Sequence, residues 1–117
     1  MAQIEIPASW RDNVCAILAT ETSGTLIEWT IDARTRYEAD SNYSWEYESY
    51  QALKDFFSSP RPLGCLVTMA KPAGETYEFY FPFEGKRFYC KILLRTDCKQ
   101  LVIFSVHRPL KAKLSCE

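Results

Sequence analysis

Residues 9 to 20, SWRDNVCAILAT, place Trp10, Val14, Ile17 and Leu18 on one face at 3.6-residue spacing. That period predicts an amphipathic helix, with Ser9 as its cap and Asp12 in its first turn. ETSG then ends it in a turn at Gly24. In LIEWTIDARTRYEA the period changes: Ile27, Trp29, Ile31, Ala33, Thr35 and Tyr37 alternate with Glu28, Thr30, Asp32, Arg34 and Arg36. A period of two predicts a strand. After the polar DSN, YSWEYESYQALKDFFSS predicts a second helix, capped by Ser44, with Glu46 and Glu48 at the positive end of its dipole. Trp45, Ala52, Leu53 and Phe56 form one apolar stripe of this helix, and Tyr43, Tyr47, Tyr50 and Phe57 a second. Pro60 and Pro62 cannot continue it.

The rest of the chain predicts four strands, CLVTMA, TYEFYFPF, KRFYCKILL and KQLVIFSVHR, joined by the short turns KPAGE, EG and RTDC. The expected architecture is an α+β domain of order α-β-α-β-β-β-β, two helices packed on one face of a twisted antiparallel sheet. It spans residues 1–109, and residues 110–117 follow as a short, poorly ordered basic tail.

Composition narrows the class. A chain of 117 residues with 47% hydrophobic and 15% aromatic positions is expected to form one globular domain with its own core. Neither a secretory signal nor an apolar run of membrane length is present, so a cytoplasmic protein with no membrane partner is expected. The five cysteines, Cys15, Cys65, Cys90, Cys98 and Cys116, form no Cys-x-x-Cys pair. A single histidine cannot complete a common zinc site, so reduced thiols, no metal and no cofactor are expected.

The net charge of −1 conceals an asymmetry. Residues 1–85 carry six Lys or Arg against thirteen Asp or Glu, a net of −7. Residues 86–113 carry eight cations against Asp97 alone, a net of +7. Such a segment fits an anionic partner, single-stranded RNA or an acidic protein surface, or else pairs with the acidic half of its own fold.

Alternation assigns the strand faces. Phe88, Cys90, Ile92 and Leu94 point one way, and Arg87, Tyr89 and Lys91 the other. On the preceding strand Glu78, Tyr80 and Pro82 oppose Tyr77, Phe79 and Phe81. On the last, Leu101, Ile103, Ser105 and His107 oppose Val102, Phe104, Val106 and Arg108. With a favourable register, Tyr80, Arg87 or Tyr89, Lys91 and His107 gather on one sheet face. That set suits metal-free RNA cleavage, which needs a base, an acid and cations around the phosphorane-like transition state. His107, Tyr80 and Lys91 are the candidate catalytic residues. Lys86, Arg87, Tyr89 and Arg108 are the candidate phosphate and base contacts. No phosphate loop and no Gly-x-Ser-x-Gly elbow is present.

YEFYFPFEGKRFYCKILLRTDCKQLVIFSVHR resembles the closing strands of the RelE-like ribonuclease toxins of bacterial toxin–antitoxin pairs. The order helix, strand, helix, meander is closest to the motility quorum-sensing regulator toxins in that group. KDFFSS, FYFPFEG, FYCKI and VIFSVH carry the likeness, over about half the chain. The resemblance implies a metal-independent mRNA endoribonuclease held by an antitoxin. Tyr80 then matches a site tyrosine, Lys91 the basic residue of a tyrosine-x-lysine strand, and His107 a basic position on the last strand. The chain departs from those basic toxins in its pI of about 5.9. The acidic first half and Tyr43, Tyr47 and Tyr50 fit a second class instead, a non-enzymatic inhibitor, immunity or phage-type protein that binds a protein partner.

Overall fold

Local chemistry sets the helix boundaries in the computed structural model, which describes residues 2–22 and 25–117. Helix α1 (Ala8–Leu18) buries Trp10, Val14, Ile17 and Leu18, the stripe expected from their spacing. It starts after Pro7 rather than at Ser9, since proline presets a φ suited to a helix entrance. The turn expected at Gly24 lies outside the described residues.

The long strand expected over residues 26–39 is corrected. Only Ile27–Trp29 is extended, as strand β2, and Ile31–Asp40 forms helix α2. The switch happens at Thr30, whose hydroxyl oxygen accepts the Ala33 N–H at 3.1 Å. This is an N-cap, supported by Asp32 in the first turn and its ion pair with Arg36 one turn on. Of the alternating apolar residues, Ala33 and Tyr37 are buried, four apart on one helical face, whereas Ile31 is 84% exposed. Helix α3 (Glu46–Phe57) follows, so the described residues form three helices rather than two. Its cap is Trp45, not Ser44: the Glu48 carboxylate reaches back to accept the Trp45 N–H at 2.6 Å. At its far end the Arg11 guanidinium donates to the Phe57 carbonyl at 2.7 Å.

The sheet has six strands in the order β1-β3-β4-β5-β6-β2: β1 (Ile4–Glu5), β3 (Leu63–Val67), β4 (Gly74–Phe83), β5 (Lys86–Arg95) and β6 (Leu101–His107), with β2 beyond β6. Pairing is antiparallel from β1 through β6 and parallel between β6 and β2, so the expected purely antiparallel sheet is also corrected. Strands β4 and β5 form a hairpin of ten residue pairs closed by Glu84 and Gly85, both at positive φ, the geometry of a two-residue turn whose twist matches the strands.

One face of this sheet and the three helices enclose a single core. Phe79, Phe81, Phe88, Cys90, Ile92 and Ile103 meet Trp10, Leu18, Tyr37, Leu53 and Phe57 there. Phe79 stacks on Phe56 with ring centroids 5.1 Å apart, and the Trp29 indole N–H donates to the Tyr50 hydroxyl at 2.8 Å. Among the described residues no helix packs on the opposite sheet face. The closing segment, residues 108–117, forms no helix or strand but folds back over that face and buries Leu114. Cys116 is disulfide-bonded to Cys65 of β3, which corrects the expectation of reduced thiols throughout. Cys15, Cys90 and Cys98 are free. Among the described residues no helix is long and apolar enough to cross a membrane.

Candidate functional site

Register places the aromatic and titratable residues of the helix-free face in adjacent rows. Tyr80 of β4 is paired with Tyr89 of β5, and Tyr89 with His107 of β6. Directly opposed residues project to the same side, so the three rings form one line across three strands. The Tyr80 and Tyr89 centroids are 6.3 Å apart, and those of Tyr89 and His107 5.3 Å apart. One row along, Glu78 is opposite Lys91, and Lys91 is opposite Ser105.

His107 joins this line through an irregularity in β6. Lys91 pairs with Ser105 but the next residue, Ile92, pairs with Ile103, so Phe104 is an extra residue, a β-bulge. The bulge moves the alternation by one. Leu101, Ile103 and Val106 belong to the core, whereas His107 sits on the face of Tyr89 and Lys91. This corrects the face assignment from simple alternation, which set His107 with Leu101 and Ile103 and Val106 opposite them.

At the centre lies Glu78, a residue that pattern reading put on this face without assigning it a role. It is 6% exposed. Its carboxylate accepts the Tyr89 hydroxyl at 2.6 Å and the Ser115 backbone N–H. Burial alone raises a carboxyl pKa, but the bonds from Ser115 and Tyr89 and the charge of Lys91 outweigh it here, and Glu78 is held below its ordinary range. The same contact acts oppositely on Tyr89. Burial, then donation to Glu78, drives its hydroxyl far above the ordinary tyrosine value. Tyr89 is thus a fixed donor and Glu78 a fixed anion. The His107 Nδ1 lies 2.7 Å from the Arg108 carbonyl oxygen. A carbonyl only accepts, so Nδ1 carries hydrogen and, in the neutral ring, Nε2 is the free base.

The closing segment roofs these groups. Tyr80 donates its hydroxyl to the Lys111 carbonyl at 3.3 Å, and Leu114 is packed down. Between roof and sheet remains a cavity of roughly 350 Å³ lined by Glu78, Tyr80, Tyr89, His107, Lys111 and Lys113, among others. Lys111 and Lys113, read from sequence as part of the tail, are thereby part of the site.

Of the other expected contacts, Arg87 lies with its guanidinium carbon 4.2 Å above the Tyr80 ring, a cation–π arrangement at the rim. Lys91 is half-buried beside the row, its Nζ 5.7 Å from the Phe104 ring centroid. Lys86 is exposed at the hairpin turn, and Arg108 is exposed with its backbone N–H bonded to Asp40. Neither lines the cavity. Among the described residues Arg95 alone of the eight late cations makes an ion pair, with Glu28 at 3.7 Å. The other seven make no contact ion pair among the described residues, although the charge of Lys91 acts on Glu78 and those of Lys113 and Arg87 act on Glu117.

The expected tyrosine surface is corrected in one member. Tyr50 is fully buried in the core, where its hydroxyl accepts the Trp29 indole N–H, and so is no part of an exposed surface. Tyr43 and Tyr47 are exposed by 78% and 51%, and Trp45 between them by 72%. They border a second, open groove with Glu21, Glu38 and the ion-paired Arg34 and Glu46. Among the described residues no group of three His, Cys, Asp or Glu side chains is placed to hold a metal ion. No family model matches the chain, and neither the curated proteins nor the solved structures contain a match to it.

Proposed function

We propose that the helix-free sheet face binds single-stranded RNA and cleaves it without a metal, as the resemblance to RelE-like toxins implies. The observation that carries this reading is the line Tyr80, Tyr89, His107, with Arg87 at its rim and Lys111 and Lys113 over it. In this reading His107 Nε2 takes the proton of a ribose 2′-hydroxyl. The 2′-oxygen attacks phosphorus, the bond to the 5′-oxygen breaks, and a 2′,3′-cyclic phosphate forms. Tyr80 or Lys91 gives a proton to the leaving oxygen. Tyr89 is no base, because burial and Glu78 keep it protonated. It supplies instead a flat surface for a base and, through Glu78, a fixed floor. Lys86, Arg87 and Arg108 extend the phosphate track, which makes binding salt-dependent. This reading takes the protein to be cytoplasmic, with an antitoxin as its protein partner.

The test is incubation of the protein and its His107→Ala variant with mixed-sequence single-stranded RNA in EDTA, in oxidised and in reduced form. Loss of a general base costs about 10²-fold or more, so cleavage by the variant is expected to fall at least that far. Absence of both cleavage and salt-dependent binding, in either form, would refute the reading.

A second reading is favoured by the exposed Tyr43, Trp45 and Tyr47. Large aromatics surrounded by Glu21 and Glu38 resemble the centre of a protein interface, and the carboxylates select a basic partner segment. Under that reading the chain is a non-enzymatic inhibitor or immunity-type protein. Trp45→Ala then abolishes partner binding, while His107→Ala leaves it unchanged.

A further inference from the structure

The segment that roofs the candidate site is tied to the sheet by one covalent bond beside the cavity. Cys65 is the cross-strand neighbour of Glu78, so its bond to Cys116 anchors the closing segment one strand away from the buried carboxylate. Ser115, next to Cys116, is thereby brought onto Glu78. The other attachments are Arg108 at the segment's start, bonded to Asp40 and His107, the buried Leu114, the Tyr80 hydroxyl donating to the Lys111 carbonyl, and Gln3 reaching Glu117 at 3.1 Å. Neither Cys65 nor Leu114 belongs to the core that joins helices and sheet. The segment is a roof laid on a finished fold.

We infer that the Cys65–Cys116 disulfide is a redox latch that holds residues 108–117 over the sheet face, and that its reduction uncovers Glu78, Tyr80, Tyr89 and His107. Cys65 is 1% exposed and Cys116 is half-buried, so the Cys116 sulfur is the one open to attack. A dithiol reductant bonds to it through one thiolate, and the Cys65 thiolate leaves and takes a proton. The second thiolate of the reductant then breaks the mixed disulfide and releases Cys116 as a thiol. Two electrons and two protons pass to the protein, and the dithiol ends as a disulfide. Freed of its tether, the segment lifts Leu114 and Ser115 off the sheet, the groups it covered gain water as a partner, and Lys111 and Lys113, already exposed, stay on a chain anchored beside the uncovered face. The inference rests on the proposed function only in assigning RNA to the uncovered face; the uncovering itself is a separate event.

The experiment compares the oxidised protein, the same protein in dithiothreitol, and the Cys116→Ser variant. The direct readouts are amide hydrogen exchange of residues 110–117 and the rate of trypsin cleavage after Lys111 and Lys113. Both are expected to rise by about tenfold or more in the reduced and variant proteins, with far-UV circular dichroism unchanged, as for a local opening. Equal rates in the three samples would overturn the latch. Fluorescent single-stranded RNA is then titrated into each. Binding confined to the reduced and variant proteins supports latch and RNA reading together. Faster exchange with no RNA binding in any sample supports the latch and overturns the RNA reading. Equal RNA binding by oxidised and reduced protein overturns the latch as a gate.

Discussion

Substituting Tyr89→Phe removes one oxygen and leaves the ring line of the candidate site in place, so it isolates the bond to Glu78. That bond is 2.6 Å long and joins a hydroxyl to a buried carboxylate. Removing a hydrogen bond to a charged group costs about 1.5–3 kcal/mol. Glu78 keeps the Ser115 N–H and the nearby charge of Lys91, which argues for a value around 2 kcal/mol rather than the upper limit. Unfolding entropy of about 2.1 cal/mol/K per residue gives roughly 0.25 kcal/mol/K for this chain, so Tm is expected to fall by about 8 °C at pH 7. The pH dependence carries a sign. The folded pKa of Glu78 lies below its ordinary value of 4.5, so its stabilisation is complete above that value and is lost as pH falls through the folded one. Once pH falls below the folded value the wild type loses its charged acceptor, and the gap narrows to the ~1 kcal/mol of a neutral bond. Thermal melts of both proteins in the oxidised form, followed from pH 7 downward, measure this. A variant melting within about 1 °C of wild type at pH 7, or a gap that does not change with pH, would mean that the Tyr89 hydroxyl gives Glu78 no charge-assisted stabilisation.

Thr30→Ala removes the side-chain oxygen that accepts the Ala33 N–H, and is expected to cost about 1 kcal/mol in urea unfolding; no loss would mean that packing of Tyr37 alone starts α2. Tyr37, Tyr77 and Tyr89 all have pKa values raised by burial above the ordinary 10. Their stabilisation is present below pH 10 and is lost as pH rises beyond it, so absorbance at 295 nm should show these three ionising late and together with unfolding. A single smooth titration of all seven tyrosines near pH 10 would contradict the packing described.

The β4–β5 hairpin was legible in the sequence because its two faces differ in kind. Tyr77, Phe79, Phe81, Phe88, Cys90 and Ile92 are continuous along one side, and only one register keeps all of them from water. The segment after Trp29 misled for a physical reason. Ile31, Ala33, Thr35 and Tyr37 alternate, yet only Ala33 and Tyr37 are buried, and a helix serves that pair as well as a strand serves four. The decisive signal was the Thr30 cap with Asp32 behind it, a local hydrogen-bond preference that an apolar period does not register. Cys65 and Cys116 stand 51 residues apart, and nothing local marks them as partners. Glu78 was assigned to the right face, but its burial depends on Ser115 and Tyr89 arriving from elsewhere in the chain.

His107 carries this argument furthest. Strict alternation along β6 sets it with Leu101 and Ile103, and both are core residues. A histidine there would stand in the helix-covered interior, and Val106 would stand on the open face. The extra residue at Phe104 exchanges the two. One bulge thus satisfies opposed demands on a single strand: apolar side chains into the core on both sides of it, and an imidazole delivered beside Tyr89. Deleting Phe104 therefore leaves a regular strand, in which Ile103 and Ser105 become consecutive and keep their partners Ile92 and Lys91, so His107 stays in line with Tyr89. Inserting one residue between Ser105 and Val106 does the opposite: His107 must turn to the core or the pairing with β5 must slip, and either outcome takes the imidazole out of the line with Tyr80 and Tyr89. The location of the candidate base is set by backbone register, and register is the level at which the site is built.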